Sequence, residues 1–240
     1  MVGSSKNSCL FIINGLGLGN STRCDAIIKQ LLKTKVEIHI LTCDNGLKYF
    51  ENNKEIASLN AMESFHYGSK GGKLSILQTI LSLPVYYSIY KRKSFQLTRL
   101  LEKIKPSIAV TDSEYAIYPL KKKKIPIIGI NNSDVVVTEY LRRKNLPKSI
   151  RGQFWLVELF DYVYHLLVCD YVISPSINPL PTRHSKFFRV GLIVRQEIFD
   201  TVNKMHLEPF DKERAIKIVI MLSGSEFASK INFDFYQLPY

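Results

Sequence analysis

No two of the four cysteines, Cys9, Cys24, Cys43 and Cys169, stand in a C-x-x-C pair. The spacing excludes a zinc finger or ribbon, and four scattered cysteines do not make a secreted disulfide scaffold. Three of them lie in or beside apolar runs, where a thiol serves as a small buried hydrophobe. A reducing cytosol is therefore the expected compartment. The N-terminus MVGSSKNS leads straight into an apolar segment and leaves no room for a signal peptide. Acidic residues are also in short supply: 21 Asp and Glu face 33 Lys and Arg, a net charge of +12. That imbalance favours anionic partners such as nucleic acid, anionic lipid or phosphorylated substrates. An aromatic-plus-basic RNA motif and a C-x-x-C…H-x-H finger are both missing, so nucleic acid is not expected. Long apolar runs are scarce too. Leu74 to Tyr90 carries no charge, but Pro84 and several polar residues interrupt it, and it is short for a membrane span. Phe154 to Ile173 is apolar but carries Glu158, Asp161, His165 and Asp170, which exclude a span there.

What is present begins with Cys9 to Gln30. Leu10, Phe11, Ile12 and Ile13 form a short apolar run, Gly15, Gly17 and Gly19 follow at alternate positions, and Ala26, Ile27, Ile28, Leu31 and Leu32 recur at helical spacing. The pattern predicts strand, glycine turn and helix, with Asn20 or Ser21 near the N-cap. A backbone of glycines admits a ligand closely, and a helix N-terminus offers unpaired N–H groups to an anion; a tight packing turn without a ligand would use the same residues. A dinucleotide fingerprint fails, because its third small position falls on Asn20 or Thr22. A phosphate-cradling P-loop fails for want of a Lys.

The rest of the chain alternates strand-like and helix-like segments. Val36 to Thr42 reads as a strand with a half-buried His39, Asp44-Asn45-Gly46 as a turn, Leu47 to Leu59 as a short helix and Glu63 to Tyr67 as a further strand or an irregular segment. Ser69 to Lys73 reads as a flexible basic loop. Leu74 to Tyr90 reads either as a core helix continuing through Leu97, Leu100 and Leu101, or as an apolar patch whose basic collar seats residues 70–93 on an anionic membrane face. Ser107 to Thr111 is a short strand that runs into Asp112 and Glu114. Open α/β sheets place ligands at that end of a strand. The same two residues would also serve as an N-cap and a first-turn carboxylate. Ile125 to Ile130 is the next strand, tipped by Asn131 and Asn132. An amphipathic helix from Phe154 then leads into the strand Tyr171 to Ser174. Phe187 to Arg195, a polar linker from Gln196 to Arg214 and a strand from Ile216 to Leu222 complete the chain, with Ser223, Gly224 and Ser225 following. Together these predict an α/β protein, Rossmann-like, with a mostly parallel sheet flanked by helices.

Four stretches, in this order, resemble one branch of the GT-B glycosyltransferases, the branch related to the enzyme that adds N-acetylglucosamine to lipid II. They are the G-x-G-x-G-N-S-T-R loop of residues 15–23, the strand ending in D-S-E with the I-P-I-I-G-I-N-N strand after it, V-G-L-I-V-R at 190–195, and S-G-S at 223–225. The resemblance implies that residues 1–195 form the Rossmann-like acceptor-binding half of such an enzyme, and that 196–240 hold a linker and the start of a nucleotide-sugar domain. It implies transfer of a sugar from a nucleotide-diphosphate sugar to a hydroxyl of a glycolipid or polysaccharide. Gly17, Gly19, Asn20 and Ser21 would form the cleft loop, and Arg23 would meet phosphate or brace that loop. Asn131 and Asn132 would face the acceptor, and Ser223, Gly224 and Ser225 the nucleotide. No metal or other cofactor is implied, since a helix dipole and backbone N–H groups can stabilise the leaving diphosphate. Relatives usually carry His after the last glycine. Asn20 stands there in this chain and cannot act as a base near pH 7, which leaves Asp112 or Glu114 to deprotonate the acceptor. Few residues follow Ser225, so the remaining nucleotide contacts are expected either to be lost by truncation or to come from a partner chain. A third arrangement packs Ile216 to Leu222 onto the first sheet. A non-catalytic subunit at the membrane surface, bound to a partner carrying the nucleotide-sugar domain, is the alternative reading.

Overall fold

The computed structural model describes residues 7–64, 69–70, 73–74, 83–143, 150–177 and 181–204. Seven parallel strands form one sheet: β1 (Ser8–Ile13), β2 (Glu37–Thr42), β3 (Ser58–Ala61), β4 (Ile108–Asp112), β5 (Ile127–Ile130), β6 (Tyr171–Pro175) and β7 (Phe187–Val190). Their order across the sheet is β3-β2-β1-β4-β5-β6-β7. The chain therefore builds outward from β1 to one edge, crosses over, and builds outward to the other. The reversal lies between β1 and β4, where Ile13 is level with Asp112. A doubly wound sheet opens its ligand crevice at that point, outside the strands' C-terminal ends. The expected Rossmann-like class is thus observed, and the paired strands of this sheet are all parallel.

The helices are α1 (Leu18–Leu32), α2 (Asp44–Phe50), α3 (Leu83–Ile104), α4 (Tyr118–Lys122), α5 (Ser133–Arg142), α6 (Leu159–Val168) and α7 (Gln196–Lys204). A turn of helix at Arg151–Gln153 and a π-helical turn at Phe154–Glu158 lead into α6. All six residues of β1 are buried, as expected for a central parallel strand covered on both faces. Its side chains alternate. Leu10 and Ile12 join a core with Leu97 and Leu101 of α3 and Leu120 of α4. Cys9, Phe11 and Ile13 join the opposite core with Cys24 and Ile28 of α1 and Phe50 of α2. Burying each large apolar side chain contributes roughly 1.5–3 kcal/mol of transfer free energy.

Several local expectations are corrected. The N-cap of α1 is Gly17, without a side-chain cap, so Asn20 and Ser21 lie inside the first turns rather than before them. Asp44-Asn45-Gly46 opens a helix instead of making a turn, with Asp44 entering it at φ 42° and the Gly46 N–H reaching the Gly15 carbonyl of the glycine loop at 3.2 Å. The third strand is Ser58–Ala61, paired to β2; Glu63 and Ser64 follow the irregular reading, and residues 65–67 lie outside the described residues. Ser69–Lys70 pairs with Lys73–Leu74 as a short antiparallel ribbon. Pro84 does not break the long helix, because it occupies the first turn of α3, where no backbone N–H is needed. The polar segment after Arg195 is helical from Gln196 to Lys204. Residues 75–82 and the strand expected at Ile216 to Leu222 lie outside the described residues. Gly129 in β5 has a packing reason: a Cβ there would meet Cys169 Sγ at 3.0 Å and His165 Cδ2 at 3.2 Å.

Candidate active site

The loop after β1 is held by its own polar groups. The Asn14 N–H donates to the Asp112 carbonyl (3.0 Å), and Asn14 Nδ2 donates to the Ser113 carbonyl (3.1 Å). In return, Asn14 Oδ1 accepts from the Leu16 N–H (3.1 Å), and the Asn14 carbonyl accepts from Asn20 Nδ2 (3.2 Å). Asn45 Nδ2 of α2 closes the far side on the Leu16 carbonyl at 2.8 Å. Gly15 is required by packing, since a Cβ would stand 1.8 Å from the Cys43 carbonyl oxygen. Gly17 and Gly19 differ: a Cβ at either would meet nothing within 4 Å. The two glycines therefore border open space at the N-terminus of α1, where backbone N–H groups lack helical partners.

Arg23 and Asp112 lock this loop to the end of β4. Arg23 Nε lies 2.9 Å from Oδ2 and Nη2 lies 2.6 Å from Oδ1 of a fully buried Asp112. Arg23 Nη2 also reaches Asn20 Oδ1 at 3.4 Å. Burial pushes the Asp112 carboxyl above the ordinary aspartate value, while Arg23, Ser113 and Cys24 pull against it. Ser113 then takes a left-handed φ of 57°, so the chain turns sharply between the two carboxylates. Asp112 meets α1, and Glu114 meets α3.

Glu114 is held at three points. Its Oε1 accepts the backbone N–H groups of Tyr115 (3.1 Å) and Ala116 (3.0 Å), and its Oε2 accepts from Lys93 Nζ at 2.6 Å. Lys93 is 4% exposed and Glu114 5%. The pair sits on the wall of a cavity of about 600 Å³. Asn14, Ser113, Tyr115 and Ala116 line the cavity from the strand tips, Tyr86, Tyr87 and Tyr90 from α3, and Phe160 from α6. Glu114 therefore faces the cavity, and Asp112 is not part of its lining. A carboxylate oxygen has two acceptor directions, so Oε2 keeps one beyond Lys93 for a hydroxyl.

Asn131 stands one shell back. Its Nδ2 donates to Asp161 Oδ2 (2.9 Å), and its Oδ1 accepts the Ser133 N–H (2.6 Å). Asp161 also accepts from the Tyr115 hydroxyl at 2.8 Å and lies 3.1 Å from His165 Nδ1. Asn131 thus braces Tyr115 on the cavity wall through Asp161. Asn132 is exposed at the N-cap of α5 and makes no side-chain cap bond. Ser21 Oγ is buried without a hydrogen-bond partner among the described residues. Ser223, Gly224 and Ser225 lie outside the described residues. The structure therefore places Gly17, Gly19, Asn20, Arg23 and Asp112 together at the start of α1, and Asn14 and Glu114 on the cavity wall.

Sequence reasoning missed Asn14, Lys93, the three tyrosines of α3 and Phe160. A signal was available for α3: Tyr86, Tyr90 and Lys93 recur at helical spacing and so share a face, inside a run that reads as core or membrane patch. Among the described residues no group of His, Cys, Asp and Glu could hold a metal ion, and no helix is long and apolar enough to cross a membrane.

The model of the family "Glycosyl transferase family 1" matches residues 7–199. An uncharacterised glycosyltransferase of Methanosarcina acetivorans is 26% identical over 209 residues, which cover 83% of this chain and 54% of that protein. One from Methanosarcina mazei is 26% identical over 203 residues, covering 79% and 49%. The chain spans about half the length of the curated relatives it matches. Among solved structures, the UDP-GlcNAc 2-epimerase of Neisseria meningitidis, bound to UDP-GlcNAc, aligns with a TM-score of 0.50 at 14% identity, over 83% of this chain and 50% of that one. MurG of Acinetobacter baumannii aligns with a TM-score of 0.44 at 14% identity, over 80% and 46%.

Proposed function

Since the chain belongs to glycosyl transferase family 1, whose model covers residues 7–199, we propose that it is the acceptor-binding half of a GT-B glycosyltransferase. The whole enzyme would move a sugar from a nucleotide-diphosphate sugar to a hydroxyl of a glycolipid or polysaccharide. The observation that carries this reading is the carboxylate of Glu114 on a cavity wall at the switch point of the sheet.

In this reading Glu114 Oε2 takes the proton of the acceptor hydroxyl as its oxygen bonds to the anomeric carbon, and the bond from that carbon to the diphosphate breaks. Positioned proton transfer of this kind is worth roughly 10²–10⁴ in rate. Asp112, fully buried under Arg23, holds the arginine and the loop rather than the proton. Arg23, 24% exposed at its side chain, stays open toward a phosphate oxygen. Gly17, Gly19 and Asn20 at the first turn of α1 offer N–H groups to the donor, in the open space beside the glycines, with Ser21 packed behind them in the cleft loop. Asn131 and Asn132 belong to the acceptor side. We place the boundary of this half near residue 195, and assign the donor's nucleotide to Ser223, Gly224, Ser225 and a further domain, carried downstream or by a partner chain. The enzyme works in the cytoplasm, with residues 70–93 against the inner face of the membrane.

The test has two parts. Calorimetry with UDP-, GDP- and dTDP-linked sugars identifies the donor, and micromolar binding is expected for one of them once the nucleotide domain is present. Turnover of Glu114→Gln is expected to fall at least about a hundredfold with donor binding nearly unchanged. Unchanged turnover removes Glu114 from the mechanism.

A further inference from the structure

We infer that the chain forms a symmetric dimer, in which the outer face of the helical segment 154–168, the π-helical turn with α6, packs antiparallel on the same segment of a second copy. The inference is independent of the sugar-transfer reading. The inner face of this segment is already packed. Phe154 stacks on Tyr140 of α5 with ring centres 3.5 Å apart, and Tyr162 stacks on Phe187 of β7 at 4.9 Å. The outer face carries Leu156, Phe160, Val163 and Leu167, which are 69%, 64%, 39% and 63% exposed. Trp155 and Val157, more than half exposed, flank them. Single exposed apolar side chains are ordinary, but a contiguous row of them marks an interaction site.

Spacing, charge and area each point to a second copy. Leu156, Phe160, Val163 and Leu167 follow one another in steps of four, three and four, the spacing of a coiled-coil seam, and the row is about 17 Å long. The row matches itself when two copies run antiparallel about a centre between Phe160 and Val163. Phe160 of each copy then meets Val163 of the other, and Leu156 meets Leu167. Large faces small in the middle and Leu faces Leu at both ends, as an isologous contact requires. A parallel pairing would press Phe160 onto Phe160. Exposed Arg151 precedes the row and exposed Asp170 follows it, so the antiparallel arrangement brings opposite charges together at each end. It also sets the N-terminus of each helix beside the C-terminus of the other, which the helix dipoles favour. Residues 154–168 hold neither Lys nor Arg, although the chain has 33. A helix resting on an anionic membrane uses such cations on its polar face, so this segment suits protein better than lipid. A stable dimer buries roughly 600–1,000 Å² per copy, and six large apolar side chains this exposed supply area of that order. Phe160 also lines the cavity of the candidate active site, so the second copy stands at its mouth.

The experiment measures the mass of the full chain by sedimentation equilibrium at tens of micromolar, where a dimer is expected. Leu156→Glu and Leu167→Lys change exposed side chains, so urea unfolding is expected to stay as it is, while each variant weakens association at least about tenfold. The double variant Leu156→Glu/Leu167→Lys separates the registers. Antiparallel copies set each introduced carboxylate against an introduced ammonium, and the dimer is expected to return. Parallel copies would set like charges together, and the double variant would associate less than either single one. Phe199→Glu on α7, at an equally apolar exposed site, is expected to leave the dimer intact. A monomeric chain, a dimer indifferent to both single variants, or a double variant without recovery overturns the inference. A monomer that binds phosphatidylglycerol vesicles, and loses that binding in Leu156→Glu, overturns it in favour of a membrane face.

Discussion

Arg23 of α1 and Asp112 of β4, 89 residues apart in sequence, meet in a two-point ion pair at 2.6 and 2.9 Å. The contact ties the helix that follows the glycine loop to the strand across the switch point. Because Asp112 is fully buried, removing one partner costs far more than the intact pair contributes. Arg23→Met is expected to destabilise by about 3–5 kcal/mol at neutral pH, read from urea unfolding. The deficit depends on pH in a definite sense. Burial raises the Asp112 carboxyl, and losing Arg23 raises it further, so the folded variant binds a proton more readily than the unfolded chain. Its deficit therefore shrinks as pH falls toward the ordinary aspartate value. A deficit independent of pH would show that Arg23 acts by packing alone.

Lys93 and Glu114 make the second buried pair, and here the partners can be exchanged together. Lys93→Met alone leaves Glu114 charged in an apolar wall and is expected to cost about 3–5 kcal/mol. The double replacement Lys93→Met/Glu114→Gln removes both charges and keeps an acceptor for the Tyr115 and Ala116 N–H groups, and most of that stability is expected to return while turnover stays lost. Thermal and urea unfolding of the three proteins decide it, and additive losses would mean that the two side chains are not coupled.

The glycines of the loop separate by purpose. Gly15→Ala would press a methyl onto the Cys43 carbonyl, and a loss of about 3 kcal/mol is expected. Gly17→Ala and Gly19→Ala meet no atoms, so the fold is expected to hold, and Gly19→Ala within α1 to gain up to about 1 kcal/mol. Donor affinity is where those two variants should fail, by calorimetry. Full affinity in both would show that no ligand enters the space they border.

Asp161 contributes the acid limb of stability. Burial would raise its carboxyl, but hydrogen bonds with His165, Asn131 and Tyr115 outweigh burial and hold it below the ordinary aspartate value of 3.8. A carboxyl depressed in the folded state stabilises above its unfolded value and loses that contribution as pH falls through the folded one. Unfolding free energy is thus expected to decline below about pH 4, and Asp161→Asn to flatten that part of the decline. An unaltered acid limb in the variant would place the loss elsewhere.

The strand, glycine turn and helix of residues 8–32 were legible because each is a local pattern. Apolar β1, glycines at alternate positions and a 3.6-residue period all act within a few residues of themselves. The strands ending at Asp112 and Ile130 were legible for the same reason, as were the two carboxylates at a strand tip. The N-cap of α1 lies three residues earlier than propensity suggests: Asn20 and Ser21 suit a cap, but Asn45 of α2 holds the Leu16 carbonyl and the helix begins at Leu18.

The sequence by itself determined the alternation of strand and helix, the glycines beside the first helix, and the presence of Arg23, Asp112 and Glu114 near strand ends. Only the tertiary structure decided what each of those groups does. Asp112 and Glu114 are two residues apart, yet the left-handed turn at Ser113 sends one to a buried arginine on α1 and the other to a lysine on α3 at the wall of a cavity. Tyr86, Tyr87 and Tyr90 became lining rather than core for a similar reason. The strand order brings β4 beside β1, and α3 must cross over that junction. Contacts between residues tens of positions apart depend on how the sheet is wound, and no local pattern records that winding.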